Sequence, residues 1–180
     1  MLLRPGPLLA LLLLCSGAVR AEWELDGTAS AIHFVSVKNL SLAEIHHFGS
    51  LAGFMGDDGS VEVAIDLDSV KTMIPIRDQR MREMLFETGS FPSAKVSTQL
   101  EESALSELLG AAGRVEADVQ LTVDLHGVSS SYPATVTAFR RDDGVIEVLT
   151  RQPVVIRAAD FGLDAGVEAL RSIAGLKNIA

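Results

Sequence analysis

The stretch Val115-Glu116-Ala117-Asp118-Val119-Gln120-Leu121-Thr122-Val123-Asp124-Leu125 decides the fold. Every odd position is apolar and every even position is polar or charged. Only an extended strand sends alternate side chains to opposite faces, so this run is a strand with one dry and one wet side. Val61-Glu62-Val63-Ala64-Ile65-Asp66-Leu67-Asp68 repeats the pattern. Working outward, strands are expected over 30–38, 43–56, 60–70, 94–101, 114–125, 132–141 and 144–158. Gly56-Asp57-Asp58-Gly59, Gly113 and Asp142-Asp143-Gly144 supply turns between them. The apolar phase switches from Ile32 and Phe34 to Val35 and Val37, which predicts a bulge. Pro153 should bend the last strand or mark an edge. Helical spacing appears over 77–86 and 167–176, with a short turn over 104–109. Long antiparallel strands with few helices imply an all-β barrel or sandwich.

The chain has 180 residues, enough for one domain with a real core. Apolar residues make up 48% but aromatics only 5%, so aliphatic side chains must do most of the packing. The net charge of −9 argues against nucleic acid as the main partner and against electrostatic adhesion to anionic membranes. The single cysteine excludes a disulfide framework.

The N-terminus is a different kind of sequence. Arg4 precedes the apolar run Leu8–Leu14, and small residues lead to Ala18-Val19-Arg20-Ala21. This is the pattern of a signal peptide over residues 1–21, cleaved after Ala21, followed by a domain over 22–180. The run is too short to span a membrane, which takes about 20 apolar residues. A bulky Leu14 before Cys15 disfavours a lipoprotein signal. Cleavage would remove Cys15, Arg4 and Arg20, leaving a thiol-free chain, more acidic by two charges, in the periplasm.

No catalytic constellation emerges. His33, His46, His47 and His126 lack metal-ligand spacing, and adjacent His46 and His47 point to opposite strand faces, so no metal is expected and surface or rim positions are. Ser129-Ser130-Ser131 follows His126-Gly127 without a nucleophile elbow and reads as a polar hairpin turn. Asp160-Phe161-Gly162 reads as a strand-to-turn junction, with Gly162 taking a special backbone angle. Ile76-Arg77-Asp78-Gln79-Arg80-Met81-Arg82-Glu83 is a solvated helix face with internal ion pairs, or a basic rim where Arg77 and Arg80 hold a polar head above Met81.

The ordered set of segments resembles the YceI-like family of exported polyisoprenoid- and lipid-binding proteins. The resemblance begins at Trp23-Glu24-Leu25-Asp26 and runs through Ile32-His33-Phe34, Val37-Lys38-Asn39-Leu40, and Phe48-Gly49-Ser50-Leu51-Ala52-Gly53. It continues through Val61–Val70, Arg77-Asp78 to Phe86, Phe91-Pro92, Leu121–Val128 and Arg157-Ala158-Ala159-Asp160-Phe161-Gly162-Leu163. It implies an eight-stranded antiparallel lipocalin-like barrel that carries a long amphiphile and is no enzyme. A barrel of that size has room for one slender apolar ligand. The lining expected is Phe34, Phe48, Val63, Ile65, Val119, Leu121 and Val123, with Met81 and Leu85 at a mouth. The ligand would be a non-covalently held isoprenoid lipid or quinone. The leading reading is a periplasmic carrier. A second is a quinone-loaded electron-transfer accessory to a membrane cytochrome, and a hydrolase using His126 and a nearby serine is disfavoured. The family's last strand has no counterpart after the helical segment near 167–176. Three explanations are open: truncation, which is favoured; Trp23–Asp26 filling the seam; or a strand from a partner.

Overall fold

The computed structural model describes residues 21–110 and 113–180, so the leader's apolar run lies outside the described residues. Ten strands form two antiparallel sheets. The large sheet curls as a half-barrel from β1 (Ala21–Glu24) through β4 (Leu51–Gly56), β5 (Ser60–Asp66), β7 (Ser93–Gln99), β8 (Gly113–Leu125) and β9 (Val128–Arg140) to β10 (Ile146–Thr150). The small sheet holds β2 (Ile32–Lys38), β3 (Leu42–Phe48) and β6 (Val70–Lys71). The helices are α1 (Pro75–Arg80), α2 (Glu102–Gly110) and α3 (Asp164–Ile173).

Register carries the alternation of one strand across the next. Val115, Ala117, Val119, Leu121 and Val123 face Ala138, Val136, Ala134, Tyr132 and Ser130 on β9. Val96 of β7 lies between Val123 and Val63. Val63 in turn faces Gly53 of β4. One continuous interior surface results, because partners in register share a face.

Several expected elements differ in extent. The segment 43–56 is two strands, since Gly49 and Ser50 turn the chain from one sheet to the other, with both amides donating to Ser69 Oγ at 3.1 Å. The segment 60–70 also breaks: Asp66 caps a 3-10 turn over Leu67–Ser69 by accepting from the Asp68 amide, which redirects Val70–Lys71 to β3. β10 ends at Thr150, before Pro153, well short of 158. No bulge separates Phe34 from Val35, because β2 pairs with β3 residue for residue from Ile32↔Phe48 to Lys38↔Leu42. The apolar outer residues Val35 and Val37 are therefore a property of the outer face. The hairpin β8–β9 turns on His126 and Gly127, with φ of 53° and 76°, so Ser129–Ser131 lie in β9 rather than in a turn.

The helix expected over 77–86 starts at Pro75, where a missing amide costs nothing, and passes into a π-helical turn over Met81–Leu85. The segment expected over 167–176 is α3, packed on that turn. Phe161 is fully buried and Gly162 takes a φ of 68°, as the strand-to-turn reading requires.

The two sheets leave edges. β1 pairs with β4 on the far side of the large sheet, which overturns the idea that Trp23–Asp26 fills the seam between 30–38 and 144–158. β10 has β9 on one side only among the described strands. The outer edge of β2 is paired near one end: Val37 exchanges backbone hydrogen bonds of 2.5 and 2.9 Å with Ala180, and the Asn39 amide donates to the Asn178 carbonyl at 3.1 Å.

Candidate functional site

The interior of the half-barrel holds packed clusters at both ends, with half-buried residues between them. At one end Leu108 of α2 packs with Met55, Val115 and Ala138, bordered by Trp23, Val61 and Ile146. Arg140 fastens α2 by donating to the Leu108 and Leu109 carbonyls at 3.4 and 2.9 Å. At the other end Phe48, Ile65, Leu67, Val70, Met81, Phe86 and Ala94 pack together, with Phe34, Leu85, Val96 and Leu125 against them. Val123, Phe161 and Leu163 extend this end through shared contacts with Leu85, Val96 and Leu125. Between the two ends, interior-facing Gly53, Val63, Ala117, Leu121, Ala134 and Val136 are only half-buried and belong to neither packed cluster. Small and β-branched residues there form an apolar interior row along the strands.

The expected lining residues divide accordingly. Val63, Val119 and Leu121 lie on the interior face between the two ends, with Val119 itself buried. Phe34, Phe48, Ile65, Met81 and Leu85 meet at the aromatic end, where Phe48 stands between Phe34 at 5.3 Å and Phe86 at 5.9 Å. Val123 borders the same end from β8.

A polar cluster adjoins this aromatic end, on the interior face of the small sheet. Phe34, Ser36 and Lys38 of β2 share that face with Glu44 and His46 of β3. His46 is only 4% exposed, which corrects the expectation of a surface or rim histidine. Its ring packs 5.1 Å from Phe34, its Nε2 lies 3.1 Å from Ser36 Oγ, and its Nδ1 has no hydrogen-bond partner. Burial, reinforced by the Arg77 charge, pushes the His46 pKa down. Glu44 bonds Lys38 and accepts from Arg77 Nη1 at 2.6 Å; the Lys38 bond, and then Arg77, hold its carboxyl below the usual range.

Arg77 also donates to the Thr72 carbonyl at 2.5 Å, and its Nε has no partner. Asp78 is buried and accepts from the Thr72 amide at 2.8 Å. The expected solvated Arg–Asp face is thus corrected: α1 turns both residues inward to anchor the chain after β6. Arg80 is half-buried and forms no ion pair among the described residues. The structure therefore separates the two arginines, one tied into an internal network and one free.

The sequence reading missed His46, Ser36, Glu44 and Lys38. For Ser36 and Lys38 a signal was available: the even positions of β2 run Ile32, Phe34, Ser36, Lys38, an apolar row that turns polar toward one end. His126, the other histidine with an unpartnered buried nitrogen, stacks on Phe91 at 4.2 Å near Glu87.

The comparisons agree with this architecture. A family model described as YceI-like domain matches residues 23–177. A polyisoprenoid-binding domain from Saccharophagus degradans, implicated in plant cell wall breakdown, is 37% identical, with a TM-score of 0.84 over 89% of this chain and 92% of that one. BcnA of Burkholderia cenocepacia has the same fold at 14% identity, with a TM-score of 0.59 over 77% of this chain and 84% of its own. So does the YCEI protein of Campylobacter jejuni at 16% identity, with a TM-score of 0.53 over 89% of this chain and 93% of its own. The comparison with curated proteins found no match. A curled antiparallel sheet with an apolar interior, matched from Trp23 to Lys177, makes this chain a member of the YceI-like domain family.

Proposed function

We propose that the protein is an exported, non-enzymatic carrier holding a long apolar amphiphile of the polyisoprenoid or isoprenoid-quinone class. The observation that carries this reading is the half-buried interior row Val63, Leu121 and Val136 between two packed ends. A folded protein gains by closing such a row over itself unless something else fills it. A slender polyisoprenoid chain matches its apolar chemistry, and the relative from Saccharophagus degradans is a polyisoprenoid-binding domain.

The head of the amphiphile belongs beside His46 and Arg77, where two buried polar nitrogens lack partners. An oxygen acceptor there would accept from Arg77 Nε–H, and from the His46 ring when Ser36 donates to Nε2. The paired charges of Glu44 with Lys38 and Arg77 favour a head carrying little net charge of its own.

The test is solvent extraction of the purified protein followed by mass spectrometry. An isoprenoid tail stoichiometric with protein is expected; an empty extract from protein purified under mild conditions would defeat the reading. A quinone head would show near-ultraviolet absorbance that bleaches on reduction, which separates quinone from plain lipid. Export is tested separately. N-terminal sequencing of protein recovered from the periplasm should begin at Glu22, and retention of Leu8–Leu14 would contradict it.

A further inference from the structure

We propose that the outer face of the small sheet and the turns at its tip are a docking surface for a phospholipid bilayer. The proposal rests on the carrier reading for its purpose, namely to hold the carrier at the lipid that supplies its cargo. Its test reads surface binding alone.

Large apolar side chains are exposed here together. On the outer face, Val35 faces Ile45 across the β2–β3 ladder, and they are 55% and 71% exposed. The β3–β6 register pairs His47 with Lys71, and the chain then leaves the ladder at Met73. Arg77 ties these segments together by bonding both Glu44 and the Thr72 carbonyl. Leu40 and Leu42 cap the β2–β3 turn, and Ile76 opens α1 beside Arg77.

The two most exposed of these residues are also held in an unfavourable backbone. Met73 is 87% exposed at a φ of 64°, and Leu40 is 83% exposed at a φ of 67°. Leucine and methionine are poor choices there on two counts. The left-handed region favours Gly, Asn or Asp, and a fully wet tip favours polar residues. Neither side chain gains contacts within the chain that would offset this. Backbone strain at an exposed apolar tip is explained when the tip is buried elsewhere.

Charge commits the occupant. The protein as a whole is acidic, with a net charge of −9, so long-range attraction does not bring it to an anionic surface. That repulsion is screened over about 8–10 Å in physiological salt, and local groups then decide. Lys71 precedes Met73, Arg80 lies one helical turn beyond Ile76, and the Lys177 amide bonds the Asn39 side chain next to Leu40. None of these three cations has an acidic partner among the described residues. Apolar tips ringed by free cations fit acyl chains below and phosphate above, as at a membrane interface. The polar cluster of His46 and Arg77 lies on the opposite side of the same small sheet, so docking here leaves that cluster and the interior facing away from the lipid surface.

The experiment uses the protein and variants that differ from it only at named positions, so any N-terminal leader contributes equally. Co-sedimentation is measured with mixed phosphatidylcholine–phosphatidylglycerol vesicles. Leu40→Asn and Met73→Asn each relieve the left-handed strain, so melting temperature should hold or rise. Vesicle affinity should fall about tenfold for each, the cost of withdrawing one large apolar side chain from lipid. Arg80→Gln should weaken binding and flatten its salt dependence. Leu149→Asn, also exposed but on β10 of the large sheet, should change nothing. Vesicle binding unaltered by the Asn variants overturns the proposal, as does a wild-type protein that ignores vesicles. A wild-type dimer that the same variants dissociate, without vesicle binding, assigns the face to a second copy and overturns it too. Extraction of an isoprenoid from a protein that fails to bind vesicles would sink this docking surface and leave the carrier reading standing.

Discussion

At the scale of single residues, neighbours in sequence have opposite fates. Leu121 faces the apolar interior and Thr122 the other way, and each is only half-buried. Leu121→Asp would place a carboxylate beside Val119, Val123 and Tyr132, at a cost of about 2–4 kcal/mol and, on the carrier reading, with loss of the apolar ligand. Thr122→Asp should cost about 0.5 kcal/mol or less and keep the ligand. Equal melting and equal ligand content in the two would show the interior face to be misassigned. His46 sets a pH dependence. Its folded-state pKa lies below the ordinary value of 6.5, so the unfolded chain binds the proton more tightly. Stability is then full above pH 6.5 and falls as pH drops below that value, until the folded-state pKa is passed. Denaturation in urea between neutral and mildly acidic pH should show the loss, and His46→Gln should flatten that part of the profile. The alternation along β8 made Leu121 legible from sequence. His46 was not, because whether a half-apolar strand faces inward at its polar end depends on what packs over it, here Arg77 and Phe34.

Elements were recognised by period and misjudged in length. Long strands announce themselves over many residues, whereas their ends depend on single hydrogen bonds, such as those from Gly49 and Ser50 to Ser69. The π-helical turn over Met81–Leu85 has no sequence signature of its own; it accompanies α3 packed against it. Gly166 permits that approach. A Cβ there would lie 2.5 Å from the Met84 carbonyl oxygen and 2.8 Å from Leu85 Cα, contacts that backbone cannot relieve by a rotamer change. Gly166→Ala should therefore destabilise by about 1–3 kcal/mol, although alanine is by itself the better helix former by about 1 kcal/mol. Denaturant titration decides it, and a more stable variant would mean that α3 does not pack this closely.

At the scale of the whole molecule, the half-barrel packs its two ends and leaves half-buried apolar residues between them, where the carrier reading places the ligand. Removing the bound amphiphile should lower the melting temperature, and adding it back should raise it with ligand concentration, because a ligand held only by the folded state stabilises by mass action. Calorimetry before and after delipidation measures this; an unchanged transition would place the extracted lipid outside the interior. The strand period, the turn residues and the acidic, cysteine-poor composition were determined by the sequence itself, since each is a local property of a few neighbouring side chains. So was the ordered set of segments, from Trp23 to Leu163, that marks the family. Only tertiary structure decided that the run 43–56 divides between two sheets and that Trp23 pairs with β4 rather than bridging the seam. It alone decided that Glu44, His46 and Arg77, up to 33 positions apart in the chain, converge beside Phe34. Such outcomes depend on which surfaces bury one another, and burial is a property of residues far apart in sequence that no local pattern encodes.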